Sequence, residues 1–198
     1  VTVTECTTLG KGRLRFHLDN GTELVLYRGE AKQFRMREGS TLSDEEEHQL
    51  IYEVVGKRAK RRTMHLLEQM DRTEQQLREK LKQGGYPQAC IDLALEYVKS
   101  FHYVDDYRYA CTYINYRQDR MSRYQLKVKL YGKGVSGELI DRALEECYEG
   151  DEQDQIIRLL EKKKFDAQNS DPKEFTRVYQ YLMRRGFRSN DVLRAMKS

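Results

Sequence analysis

The chain has 198 residues, 38% hydrophobic and 34% charged, with a net charge of +4 and a pI near 8.8. That is lean for one thick core and suits thin helical modules that each bury a small one. No apolar run approaches the ~18 residues of a membrane helix and no secretory leader is visible, so neither a membrane-spanning nor an exported class is expected. The opening valine leads us to expect a trimmed start. Cys6, Cys90, Cys111 and Cys147 form no Cys-x-x-Cys pair, so small core residues in a reducing cytoplasm are expected rather than a disulfide framework or a metal site.

In chain order, Val1 to Thr7 alternates in a strand-like way, and two further alternating runs, 13–18 and 22–27, flank Asp19-Asn20-Gly21. Asn-Gly between such runs is a strong hairpin signal, and it predicts a two- or three-stranded antiparallel sheet that must pack on a helix to be stable. A helical turn is expected over Glu30–Phe34. The main helix is predicted to start at Ser43, where Ser43 and Glu46 have capping-box spacing and Asp44 to Glu47 place acids at the positive helix end. Its apolar stripe is Leu50, Ile51, Val54 and Val55. Gly56 either breaks the helix or is carried through it. Lys57 to Arg62 holds five basic residues in six, and the stripe resumes at Met64, Leu67 and Met70.

From there the chain repeats itself. Leu77, Leu126 and Val178 lie eight residues before Gly85, Gly134 and Gly186; Leu81, Leu130 and Leu182 lie four before. Tyr86, Val135 and Phe187 follow the glycines directly, then Ile91, Ile140 and Val192, and Leu95, Leu144 and Met196. The period is 49, then 52 residues. This is the grammar of helix, glycine corner, helix, with the glycine entering the left-handed region at a helix C-terminus. Thr73 with Gln76 and Ser122 with Gln125 mark helix starts; Asp171, Pro172 and Glu174 mark a third, three residues further from its anchor, so that helix is expected to be a turn longer. Each repeat gains a further helix ahead of its corner: one from 57, one opening near Asp105-Asp106 with Tyr107, Ala110, Cys111 and Ile114 inward, and one opening at Asp151 to Asp154 with Ile156, Leu159 and Leu160 inward. The fold expected is mainly α: three tandem three-helix repeats (57–104, 105–150, 151–198) forming an elongated curved body. A small N-terminal antiparallel β-hairpin or sheet packed on a helix (1–56) precedes them. Three unrelated helical hairpins are the competing reading.

The second repeat resembles the central signature of the RecX family of regulatory proteins. The residues that carry the resemblance are Tyr103-Val-Asp-Asp-Tyr-Arg-Tyr-Ala110, then Tyr113 and Arg117, then Gln125-Leu-Lys-Val-Lys-Leu-Tyr-Gly-Lys-Gly-Val135. Arg72 to Leu77 and Gly84-Gly-Tyr86 are similar to the family's first module, and the third repeat matches through its anchors. Tyr109 stands where phenylalanine is more usual, and Asp119-Arg120-Met121 replaces a loop richer in lysine and glycine. The resemblance implies a non-enzymatic modulator of the RecA recombinase that lies along the RecA filament. Such a protein usually restrains the filament's growth, ATP hydrolysis, strand exchange and support of repressor cleavage in the SOS response.

No catalytic or cofactor constellation stands out. The four histidines are scattered, and no phosphate-cradling glycine loop is present. The candidate site residues are basic, in three clusters: Lys57, Arg58, Lys60, Arg61 and Arg62; Arg117, Arg120, Arg123, Lys127 and Lys129; and Arg184, Arg185 and Arg188 with Lys162 to Lys164. Tyr113, Tyr116, Tyr124 and Tyr131 run among them. Cations beside aromatic rings can hold phosphates and stack bases, whereas interleaved acids would make the same charges a solvated, salt-bridged surface. The partners expected are the RecA filament and single- or double-stranded DNA, with no membrane, no cofactor and a monomeric chain. A helical array that binds nucleic acid without a recombinase partner is the alternative.

Overall fold

The computed structural model describes residues 1–197, which fold as two compact units, Val1–Asp105 and the chain from Asp106 onward. In the first unit, β1 (Val3–Gly10), β2 (Arg13–Leu18) and β3 (Glu23–Tyr27) form an antiparallel sheet in sequence order. Phe16 pairs with Leu24 and Leu14 with Leu26. The Asn20-Gly21 turn is where the sequence placed it: Gly21 has φ +81° and Asn20 Oδ1 accepts from Thr22 N–H. The first strand runs three residues beyond the expected Thr7 and turns through Gly10, Lys11 and Gly12, all at positive φ.

A short α1 (Arg28–Gln33) leads to α2 (Asp44–His48), whose Ser43–Glu46 capping box is formed. The helix does not break at Gly56. It widens into a π-helical stretch, Gln49–Val55, and continues as α3 (Gly56–Gln69). A Cβ at Gly56 would lie 2.8 Å from Leu93 Cδ2 and 3.0 Å from Ile51 carbonyl oxygen, so glycine lets the neighbouring helix approach without displacing Leu93. α4 (Glu74–Gln83) and α5 (Gln88–Ser100) complete the unit. Phe16, Leu24 and Leu26 of the sheet share one core with Leu50, Val55, Leu77, Leu81, Ile91 and Leu95, so the sheet folds on the π-helical stretch, α4 and α5.

The second unit holds two three-helix sets: α6 (Asp106–Arg117), α7 (Arg123–Tyr131) and α8 (Gly137–Cys147); then α9 (Glu152–Lys163), α10 (Pro172–Arg184) and α11 (Ser189–Met196). One core centres on Ile114, Leu126, Leu130 and Ile140, the other on Ile156, Val178, Leu182 and Val192. Of the inward residues expected on α6, Ala110 and Ile114 are fully buried, while Tyr107 and Cys111 are half-covered. α10, with 13 residues against 10 in α4 and 9 in α7, is the longer helix that Asp171 and Pro172 signalled.

The three corners share a conformation. Gly85, Gly134 and Gly186 have φ of +77°, +84° and +80°. Tyr86 N–H donates to Leu81 carbonyl and Val135 N–H to Leu130 carbonyl, the closing bond of a Schellman motif, which brings the apolar residue after the glycine back over the last turn.

Candidate functional site

On α3, Ala59, Thr63 and Leu66 face the core, so the basic run before them must point several ways, because successive helical residues lie about 100° apart. Lys57, Lys60 and Arg61 line one concavity of about 480 Å³ with Met64, His65 and Tyr97. Lys57 pairs with Glu53 at 2.6 Å, and Lys60 Nζ lies 5.1 Å from the centre of the Tyr97 ring. Arg61 and Arg62 are exposed and form no ion pair among the described residues.

Arg58 departs from the cluster. Its side chain is only 18% exposed, pairs with Glu30, donates to Val25 carbonyl, and lies 5.0 Å from the Tyr27 ring centre and 5.5 Å from that of Tyr86. It clamps α3 to the hairpin and is spent on the fold. A run of five cations in sequence is thus an outward group and one internal tie.

The middle and C-terminal clusters, separate in sequence, lie together in the second unit. Ser122, fully buried, caps α7 by accepting from Gln125 N–H and also donates to Arg185 carbonyl at 2.6 Å. Arg123 N–H donates to Glu152, and Gln155, also buried, donates to Gln118 carbonyl. The result is one concavity of about 300 Å³ that holds Arg123, Lys127 and Arg188, and another of about 330 Å³ that holds Arg120, Arg158, Lys162 and Arg185.

Their electrostatics differ. In the first concavity Lys127 is paired with Asp141, and Glu152 and Asp191 add further negative charge. In the second, Arg158 pairs with Asp154, and Asp119 is the one acid in the lining. The second is therefore the more positive. Gln155 Oε1 lies buried beside it without a hydrogen bond among the described residues. Arg185 and Lys163 both lie over the Tyr181 ring, at 4.9 and 4.5 Å, and the ring stands between this concavity, which holds Arg185, and a neighbouring one that holds Lys163 and Arg184. Arg117 lies 5.7 Å over Tyr113; Arg120, Lys129, Arg184 and Arg188 are exposed and carry no ion pair among the described residues.

Sequence spacing placed Tyr124 and Tyr131 among the cations but did not reveal two aromatic arrangements. On α7, Tyr124, Val128 and Tyr131 are 57%, 50% and 71% exposed. Their i, i+4, i+7 spacing makes one outward apolar row, bordered by Lys127 and Lys129. The anchors Leu126 and Leu130 imply that row, since both are fully buried on the opposite side. In the first unit, Tyr97, Phe101 and Tyr103 form an exposed ring ladder.

Tyr107 donates to Glu146, whose other oxygen accepts from Arg142 Nε at 2.9 Å, tying α6 to α8. The Tyr107 hydroxyl beside it holds the Glu146 carboxyl below its usual range, with Arg142 helping. Among the described residues no group of three or more His, Cys, Asp or Glu side chains could hold a metal ion, and no helix is long and apolar enough to cross a membrane.

Three-helix sets in tandem, each turning at a left-handed glycine and carrying outward cations and rings, define a helical-repeat protein. Models of the first, second and third three-helix domains of RecX match residues 59–97, 105–144 and 150–196. The chain belongs to the RecX family. The "Regulatory protein RecX" of Caldanaerobacter subterraneus is 29% identical over 81% of this chain and 80% of its own length. That of Geobacillus kaustophilus is 33% identical over 78% of this chain and 59% of its own length. That of Clostridium acetobutylicum is 25% identical over the whole chain and 94% of its own length. A solved structure described as regulatory protein RecX shares the fold over 100% of this chain and 99% of its own, with a TM-score of 0.68 at 20% identity. RecX from Lactobacillus salivarius covers 72% of this chain with a TM-score of 0.62.

Proposed function

We propose that this protein binds the RecA recombinase filament and restrains its growth, ATP hydrolysis, strand exchange and SOS co-protease activity, acting by binding rather than by catalysis. Family membership supports the regulatory role. The observation that carries the contact is the outward Tyr124–Val128–Tyr131 row with cations on its borders. Exposed apolar rows of this kind mark protein-binding surfaces, and the cations suit an acidic protein groove with phosphate nearby. The contact residues are Lys57, Lys60, Arg61 and Arg62 in the first repeat, Arg117, Arg120, Arg123, Lys127 and Lys129 in the second, and Arg184, Arg185 and Arg188 in the third. The repeats, 57–104, 105–150 and 151–198, act as successive modules of a cytoplasmic monomer.

The test is RecA-catalysed ATP hydrolysis on single-stranded DNA with substoichiometric protein, followed by strand exchange. Unchanged hydrolysis and exchange refute the filament reading. A protein that alters them only by competing for bare DNA belongs instead to the alternative class, a nucleic-acid-binding helical array. Arg117→Glu with Arg123→Glu weakens filament binding; unchanged binding by a folded double variant removes the middle cluster from the contact.

A further inference from the structure

The C-terminal end of α5 carries a feature that the filament contact does not use. Tyr97 is 37% exposed, Phe101 53% and Tyr103 47%. The Tyr97 and Phe101 rings meet edge to face at 5.1 Å, and Phe101 and Tyr103 stack at 5.6 Å with 17° between their planes. Three aromatic rings in series, each about half bare, are an unusual thing to leave outside a core that already buries Ala94, Leu95 and Val98 on the same helix. The backbone turns sharply to set them: His102, between the two stacked rings in sequence, sits in the left-handed region at φ +55°. Tyr103 N–H donates to Val98 carbonyl, so His102 ends α5 with the same closing bond that Gly85 and Gly134 use, and the turn projects Phe101 and Tyr103 from the helix end.

Beside the ladder lies the concavity walled by Lys57, Lys60 and Arg61. Lys60 joins the two, with its ammonium 5.1 Å from the Tyr97 ring centre, and Arg61 is exposed and forms no ion pair among the described residues. Rings in series beside a run of cations is the arrangement that takes single-stranded nucleic acid: unpaired bases add to the rings through their faces, and the phosphates follow the cations. A duplex keeps its base faces covered and gains only the phosphate half. An acidic protein segment gains the charge and has no use for three successive ring faces.

We infer that the Tyr97–Phe101–Tyr103 ladder and the adjoining Lys60 and Arg61 form a site for single-stranded nucleic acid, selective for strand state and tolerant of sequence. The inference shares two cations with the filament reading but needs no recombinase, so the two stand or fall separately.

The test uses the full chain alone, with fluorescence anisotropy on a labelled oligothymidylate and on a duplex of equal length. Single strand is expected to bind about 10-fold or more tighter than duplex. Tyr97→Ala with Phe101→Ala is expected to weaken single-strand binding about 10-fold or more, since a stacked base contributes about 1–3 kcal/mol. The slope of log affinity against log salt stays as it was, because rings release no counterions. Lys60→Ala with Arg61→Ala lowers that slope by about 1.4, at about 0.7 per phosphate contact. Phe101→Tyr binds like the original chain. As a measurement that needs no variant, ultraviolet cross-linking to oligothymidylate is expected to mark Phe101 or Tyr97. Absence of single-strand binding at low salt overturns the inference. So do equal affinity for duplex, a folded ring variant that binds unchanged, and cross-links confined to residues after 105.

Discussion

The ring of Tyr124 occupies the space in which a side chain at position 186 would begin: a Cβ built on Gly186 falls inside the contact distance of Tyr124 Cβ, Cγ and Cδ1. The third corner is thus the socket for the first turn of α7, and the same glycine must hold φ at +80°. Gly186→Ala is expected to destabilise the second unit by about 2–4 kcal/mol, combining left-handed strain with overpacking. At about 4–8 °C per kcal/mol in a unit of this size, its Tm falls by about 8–32 °C in calorimetry. Gly132→Ala is the control. Gly132 has a right-handed φ of −64°, and a Cβ there would meet only Val128 and Lys129 carbonyl oxygens at 3.4 and 3.6 Å. That change should leave Tm the same or raise it slightly.

Arg58 should behave as a core residue. Arg58→Met leaves Val25 carbonyl and the half-buried Glu30 carboxylate without their donor. A loss of about 1–3 kcal/mol in the first unit is expected, less than for a fully buried pair because both partners keep some solvent. Urea unfolding measures it. Below the unfolding transition, binding to RecA filaments should be unchanged, whereas Arg117→Glu with Arg123→Glu lowers binding and spares stability.

Glu74 links acid sensitivity to the first unit. Lys99, at 2.8 Å, and then Arg78 hold its carboxyl below the ordinary value of 4.5, against the opposing effect of burial. A carboxyl whose pKa is lower folded than unfolded adds stability that is present above the unfolded value and is lost as pH falls through the folded one. The stability gap between the parent and Glu74→Gln should therefore be full at neutral pH. It should shrink as pH drops below about 4.5 and vanish once Glu74 is protonated in both states. A gap that persists at the acid end shows that Glu74 acts by packing rather than by charge.

Cys90 should be chemically silent in the native state. It is fully buried, donates to Ile51 carbonyl, and burial pushes its thiol up to about 12. At neutral to mildly alkaline pH, alkylation of Cys90, read by mass spectrometry, should proceed only through unfolding of the first unit. The half-exposed Cys6 should react without it. Fast modification of Cys90 in folded protein contradicts the packing of α5 on the π-helical stretch.

Much of this was readable in advance because the signals are local. A glycine four residues past a leucine, followed by an apolar residue, fixes a corner wherever it occurs, and all three corners carry the left-handed φ that their spacing implied. The Ser43, Thr73 and Asp171 caps are likewise written within four residues each. What stayed hidden depends on what packs against what. The inward turn of Arg58 follows from where the hairpin lies, since Glu30 and Val25 are 28 and 33 residues away in sequence. The meeting of the middle and C-terminal cations rests on Ser122 reaching Arg185 across 63 residues. The ring ladder is hard to see in the sequence because Phe101 lies three residues past the buried Val98, at core spacing; the left-handed turn at His102 takes the chain away before it can be covered.

The π-helical stretch before Gly56 has a bearing on how this helix tolerates changes of length. A wide turn takes up about one residue more than an α-turn for the same rotation. Deleting a single residue within 49–55 should relax it to ordinary helix and leave Ala59, Thr63 and Leu66 on the buried side. The same deletion beyond Gly56 would swing everything after it by about 100°, carrying Arg61 toward the core and Leu66 into water. The irregular turn is a slack point, where the chain can gain or lose a link without re-aiming the cations that follow.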